Sequence, residues 1–181
     1  MTDFGDAAVL IPLAAVMLLW LLLGNLRSAA WWAVSVGCFV GLTALLKIFF
    51  YGCPPASDIR SPSGHTGFSV LVYGAIALVT TIQARGVRRA LAVGIGTGLI
   101  LMIAASRLLL EIHSLPEVSL GLVIGMVSLV LFGRIYLQSP QTQVWQLLVA
   151  AGMLVSILHG QELHAEEFLH RITGYLRVHC S

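Results

Sequence analysis

Two histidines in this chain each stand just ahead of a long apolar run, with basic residues close upstream. Arg60-Ser61-Pro62-Ser63-Gly64-His65 leads into one run, and Ser106-Arg107, then His113 and Glu117, lead into another. Lys47 closes the apolar run before the first of them. Ionisable groups are expensive beside lipid, so their recurrence at the same ends of hydrophobic helices marks a site. Breaking a phosphate ester or pyrophosphate takes cations for the spread oxygen charge, a nucleophile in line and an acid for the leaving oxygen. This set can supply each part.

His113 suits the nucleophile, because a neutral imidazole attacks well when a carboxylate holds its other nitrogen. Glu117 lies four positions on, one helical turn, so both side chains can share a face. A structural reading stands beside it: Ser114-Leu115-Pro116-Glu117 has the form of a capping box, in which Glu117 serves backbone donors. The two readings are compatible. In the other segment Ser61 is expected as N-cap and Pro62 as the first helical residue, which makes an anion site of the helix start. Gly64 would then let the anion approach without a Cβ in the way, and His65 would sit at the rim as proton donor. Arg107 lies at a poor same-face spacing from His113, so the chain must turn for both to meet one phosphate. Its planar fork fits phosphate oxygens. The bland account of Lys47 and Arg107 is snorkelling at helix ends.

These residues need a scaffold, and composition says which. The chain has 181 residues, 58% of them apolar and only 10% charged, with mean hydropathy +0.93. That is far outside the soluble norm and follows from several runs of bilayer-spanning length. The expected fold is all-α: a polytopic membrane bundle of about six helices, roughly Ala7–Leu23, Ala29–Phe50, Gly67–Ile82, Ala90–Leu109, Val118–Leu137 and Val144–Leu158. Residues 1–158 form the membrane domain, with the chemistry between about 47 and 125, and 159–181 a tail. In the tail Ala165, Phe168, Leu169, Ile172 and Leu176 recur at helical spacing, as in an amphipathic interfacial helix. Glu166 and His170 are two ligands without a third, which makes a metal site there weak.

Arg27, Arg85, Arg88, Arg89 and Arg134 fall in or beside the loops of one face, which is therefore expected in the cytoplasm. The histidine loops and the tail then face the periplasm or exterior. The acidic start of the chain lacks the basic region of a signal peptide, so the first run is expected to stay as a span. A net charge of +2 with scattered arginines gives no nucleic-acid footprint. Cys38, Cys53 and Cys180 form neither metal spacing nor an even disulfide framework. Cys38, inside an apolar run, is expected to be packing, and pairing of Cys53 with Cys180 is not fixed by sequence.

The same residues resemble the type 2 phosphatidic acid phosphatases, membrane relatives of bacterial acid phosphatases and vanadium haloperoxidases. That family carries K-x6-R-P, P-S-G-H and S-R-x5-H-x3-D. Pro62 to His65 match the second in full; Ser106, Arg107 and His113 match the third, with Glu117 at the aspartate position. Lys47 and Pro55 fit the first, but Pro54 stands where arginine is expected, and Arg60 in the same loop is the candidate replacement.

The resemblance implies a metal-independent membrane lipid phosphatase without cofactor. His113 would form a phosphohistidine and His65 protonate the leaving group; Lys47, Arg60, Ser63, Gly64 and Arg107 would hold the oxygens. A bacterial inner membrane and a lipid phosphate or pyrophosphate substrate go with it. Phosphatidic acid, phosphatidylglycerophosphate, undecaprenyl pyrophosphate and a lipid A phosphate all remain open. So do a phosphotransferase using the same intermediate and a non-catalytic lipid-phosphate binder.

Overall fold

The structure, a computed structural model, describes residues 6–52, 61–138 and 143–158. Arg60, Cys53, Cys180 and the tail with Glu166 and His170 lie outside the described residues. Among the described residues six helices follow one another: α1 (Ala7–Gly24), α2 (Leu26–Gly52), α3 (Gly64–Gln83), α4 (Val87–Leu109), α5 (Leu115–Tyr136) and α6 (Val144–Leu158). No strand occurs among the described residues. The bundle is the all-α membrane architecture that composition requires.

Five of the helices are long and apolar enough to cross a bilayer. Over the described residues the exception is α6, with 15; at 1.5 Å per residue that length is about 22 Å, short of a hydrocarbon core of about 30 Å. Trp20 pins its start to α1, donating from Nε1 to the Gln143 carbonyl at 3.0 Å.

Local chemistry sets several helix ends. Asp6 caps α1 by accepting from the Ala8 amide at 2.9 Å. Asn25 alone separates α1 from α2, and its Oδ1 accepts from the Ser28 amide at 3.0 Å. Such a short joint makes the two helices antiparallel neighbours.

The central helix is α3, which packs against both α4 and α5 and buries Val70, Leu71, Val72, Ala75 and Val79. Its crossing with α5 is made by glycine. A Cβ at Gly67 would fall 2.6 Å from the Gly121 carbonyl oxygen; one at Gly121 would strike the Ser63 carbonyl, and one at Gly125 the Gly67 carbonyl. Lipid gives helices no hydrophobic reason to associate, so small residues that let backbones touch supply the packing instead. This contact brings the start of α3 against the start of α5.

Large side chains such as Leu19, Leu23, Leu45, Val87 and Ile157 point outward, as lipid-facing residues do. Cys38 is exposed on α2, which corrects its expected packing role. A small apolar thiol is tolerated on a lipid-facing surface, so an apolar run does not imply burial.

Candidate active site

At one end of the bundle Arg27, Arg85, Arg88, Arg89 and Arg134 are all exposed. At the other end Lys47, Arg107 and Glu117 are buried, and they are the buried charged residues among those described. Burying charge without compensation is costly, so the second end is organised around it.

Glu117, in the first turn of α5, ties that end together. Its Oε2 lies 3.0 Å from His113 Nδ1 and accepts from the Ser114 amide at 3.0 Å. Its Oε1 accepts from the Ser61 amide at 2.9 Å, and its carbonyl accepts from the Ser63 amide at 3.0 Å. Both readings of this carboxylate therefore hold at once: it makes its half of the capping interaction and orients the imidazole. A carboxylate can only accept, so the Glu117 contact places the proton on Nδ1 and leaves the Nε2 lone pair outward.

These bonds also move the start of α3. The N-cap is Ser63 and the helix begins at Gly64, not at Pro62 after a Ser61 cap. With the Ser61 and Ser63 amides held by Glu117, residues 61–63 stay extended, Ser63 at φ −70° and ψ 99°. Ser63 makes no side-chain cap bond; its hydroxyl meets Thr66 Oγ1 at 2.9 Å instead. The positive end of the α3 dipole is thus not closed by its N-cap side chain, which suits an anion.

Lys47 reaches the same place from α2. A Cβ at Gly64 would sit 3.9 Å from Lys47 Cε and 4.0 Å from its Nζ, so the ammonium lies beside the first turn of α3. Arg107 arrives from the last turn of α4. The turn required between Arg107 and His113 is present: Glu111 takes a left-handed conformation, φ 53°, and the His113 amide donates to the Arg107 carbonyl at 3.3 Å. A left-handed residue just past a helix end is a common way to reverse the chain.

His65 stands in the first turn of α3, half-buried, and with Lys47 and Gly64 it lines the end of a cavity between α1, α2 and α3. Lys47, Ser63, Gly64, His65, Arg107, His113 and Glu117 thus gather at the joined starts of α3 and α5. No three His, Cys, Asp or Glu side chains among the described residues could hold a metal.

Sequence reasoning missed the ties that bring these residues together. The Ser61 and Ser63 amides are backbone donors and carry no side-chain signal. The α3–α5 crossing was readable in principle, since Gly121-Leu-Val-Ile-Gly125 is a small-x3-small motif.

Comparison with known proteins gives the family. The PAP2 superfamily model matches residues 49–141. A protein of Klebsiella pneumoniae described as an uncharacterized 22.5 kDa protein in cps region is 30% identical over 146 residues, 77% of this chain and 69% of that protein. No solved structure matches the chain significantly. The chain belongs to the PAP2 superfamily, and membership supports a phosphatase-type activity.

Proposed function

We propose that this protein is a membrane lipid phosphatase that hydrolyses a phosphate monoester or pyrophosphate through a phosphohistidine. The observation that carries the reading is the Glu117 carboxylate, bonded to His113 Nδ1 at 3.0 Å and to the Ser61 amide at 2.9 Å. It orients the nucleophile and holds the segment that leads into the α3 anion site.

Nε2 of His113 attacks phosphorus and the bond to the leaving oxygen breaks. His65 gives that oxygen its proton. Water then attacks the phosphohistidine, His65 takes the water's proton, and the P–N bond breaks to release phosphate. Lys47, Arg107, the Gly64 amide and the α3 dipole stabilise the oxygens as charge moves. Ser63, whose hydroxyl also meets Thr66 Oγ1 at 2.9 Å, holds an oxygen beside them, and Arg60 supplies the clamp absent at Pro54. The exposed arginines of the far end favour the cytoplasm, so the site opens to the periplasm or exterior of a bacterial inner membrane. A lipid substrate fits because the site lies at the ends of bilayer-length helices.

The test is phosphate release from a panel of lipid phosphates and pyrophosphates by purified protein and by His113→Ala. The wild type should release phosphate and carry an acid-labile, base-stable phosphoryl group when quenched in turnover. His113→Ala should lose about a thousandfold or more in kcat, as loss of a catalytic nucleophile does. Turnover that survives in His113→Ala would defeat the reading. An acceptor alcohol that diverts the phosphoryl group from water would identify a transferase.

A further inference from the structure

The joint between α4 and α5 carries His113, and its neighbours there are apolar and turned outward. Leu109, Leu110, Ile112 and Leu115 are each at least half exposed, whereas the His113 side chain among them is only 8% exposed. We infer that this joint is inserted into the bilayer at the boundary between hydrocarbon and headgroups, and that it fixes the depth at which His113 meets a phosphate. The insertion has evidence of its own; its consequence for the substrate rests on the phosphatase reading.

The joints at the other end of the bundle are polar. Asn25 between α1 and α2, Gln83 to Gly86 between α3 and α4, and Gln138 to Gln143 between α5 and α6 include no leucine, isoleucine, valine or aromatic residue. A single exposed leucine needs no explanation, but four large apolar side chains around one turn form a patch. The patch also continues a lipid-facing surface. Leu101, Ala105 and Leu109 make an exposed row on α4, and Leu115, Ser119 and Val123 make one on α5; residues four apart share a helix face.

A turn touching lipid must satisfy its own backbone, because hydrocarbon offers no hydrogen-bond partner. This one does. The Leu110, Glu111 and His113 amides donate to the Ser106, Leu108 and Arg107 carbonyls at 3.0, 3.1 and 3.3 Å, and the Ser114 amide donates to Glu117 Oε2 at 3.0 Å. Four of the five amides between α4 and α5 are therefore bonded within the protein. A loop built for water has no need of such closure.

Helix lengths give the depth. Arg89 and Arg134, exposed at the opposite end, mark one edge of the hydrocarbon. At about 1.5 Å per residue α4 rises about 30 Å from Arg89 to Leu109, and α5 about 28 Å from Leu115 to Arg134. The hydrocarbon core is about 30 Å thick, so both helices reach its far edge at this joint. Glu111, the joint's only acidic residue, is exposed and lies in the headgroup layer, where a carboxylate stays hydrated. Held by apolar neighbours on both sides, His113 is kept at the level of phosphates joined directly to a membrane lipid. A phosphate ester dissolved in water gains nothing from that anchor.

Depth and rate are measured separately. Full-length protein with Cys38→Ala, Cys53→Ser and Cys180→Ser receives one nitroxide, at Leu110→Cys, Ile112→Cys or Ala84→Cys, in phosphatidylcholine nanodiscs. Paramagnetic power saturation then compares oxygen, which concentrates in hydrocarbon, with a nickel chelate, which stays in water. The oxygen-to-chelate ratio at Leu110→Cys and Ile112→Cys should exceed that at Ala84→Cys by about fivefold or more, as apolar partitioning requires. Ratios equal to that of Ala84→Cys overturn the insertion, and so does access by neither reagent, which would show protein covering the joint. Leu110→Glu combined with Ile112→Glu draws the joint toward water. Phosphate release from a long-chain alkyl phosphate in the bilayer should fall about a hundredfold, the scale of an ångström's misplacement, with release from soluble nitrophenyl phosphate nearly unchanged. Equal losses on the two substrates, or no loss on either, overturn the depth-setting role. Inserted labels in a protein whose wild type releases no phosphate from any lipid uphold the insertion and remove the hydrolase reading.

Discussion

The Ser61 amide donates to Glu117 Oε1 at 2.9 Å across 56 residues of chain. One carboxylate thereby holds the approach to α3 with one oxygen and His113 with the other. Positioning of the His113 imidazole and shaping of the start of α3 are a single structural event. Any change at Glu117 should disturb both.

Glu117→Gln keeps the shape but puts an amide nitrogen where one of these donors needs an acceptor. A comparable carboxylate-to-amide change behind a catalytic histidine costs about ten-thousandfold in kcat, and a comparable loss is expected here. The unsatisfied buried group should also lower stability by about 1–3 kcal/mol. Glu117→Asp withdraws the carboxylate by about 1.5 Å, one C–C bond, so it cannot serve Ser61 and His113 together; it should fall between Gln and wild type. Phosphate release and detergent-phase unfolding, measured on both variants, check this. Wild-type kcat in Glu117→Gln would remove the orienting role.

Gly64→Ala separates access from folding. The added Cβ would find neighbours at 3.7 to 4.0 Å, ordinary contact distances, so the fold should tolerate it. It would nonetheless stand where the phosphate approaches the backbone. Activity should fall about a hundredfold, the scale of one lost oxyanion donor, with an unchanged melting temperature. Full activity would place the phosphate elsewhere.

The two imidazoles, Lys47, Arg107 and Glu117 were legible because such groups are conspicuous among apolar runs, and the need for a turn between Arg107 and His113 followed from spacing alone. The start of α3 was not legible. Ser61 and Pro62 have the right types to open a helix, but Glu117, far away in sequence, holds the Ser61 and Ser63 amides and keeps that stretch extended. Local propensity yields there to a tertiary bond. Cys38 failed to declare itself for a different reason: on a helix apolar all round, sequence does not say which side faces lipid or a neighbour.

The glycine crossing of α3 and α5 should be the mechanical support of the site. Gly125→Val would drive a branched side chain into the Gly67 carbonyl and toward Val70 Cβ, 2.9 Å from an added Cβ. Overpacking of this kind costs about 1–3 kcal/mol, and prying the helices apart also strains the Ser63–Glu117 bond, so activity and stability should fall together. Gly98→Ala is the control, since a Cβ there meets nothing within 4 Å; it should change stability by no more than about 1 kcal/mol. Unfolding titrations in mixed detergent micelles distinguish the pair, and equal stability of the two would refute a tight crossing.

His65 should matter in proportion to how badly the leaving group needs a proton. An alkoxide is a poor leaving group, so without an acid its departure is slowed by the scale of general acid catalysis, about a hundredfold to ten-thousandfold. A nitrophenolate leaves unaided. His65→Ala should therefore lose most of its rate of phosphohistidine formation on an alkyl phosphate and much less on nitrophenyl phosphate. Rapid-quench measurement of the first turnover isolates this step from the later hydrolysis, in which His65 also acts as base. Burst rates reduced equally for the two substrates would show that His65 holds the phosphate and donates no proton. A burst that persists for nitrophenyl phosphate and then stalls would place both the donated and the abstracted proton on this one imidazole.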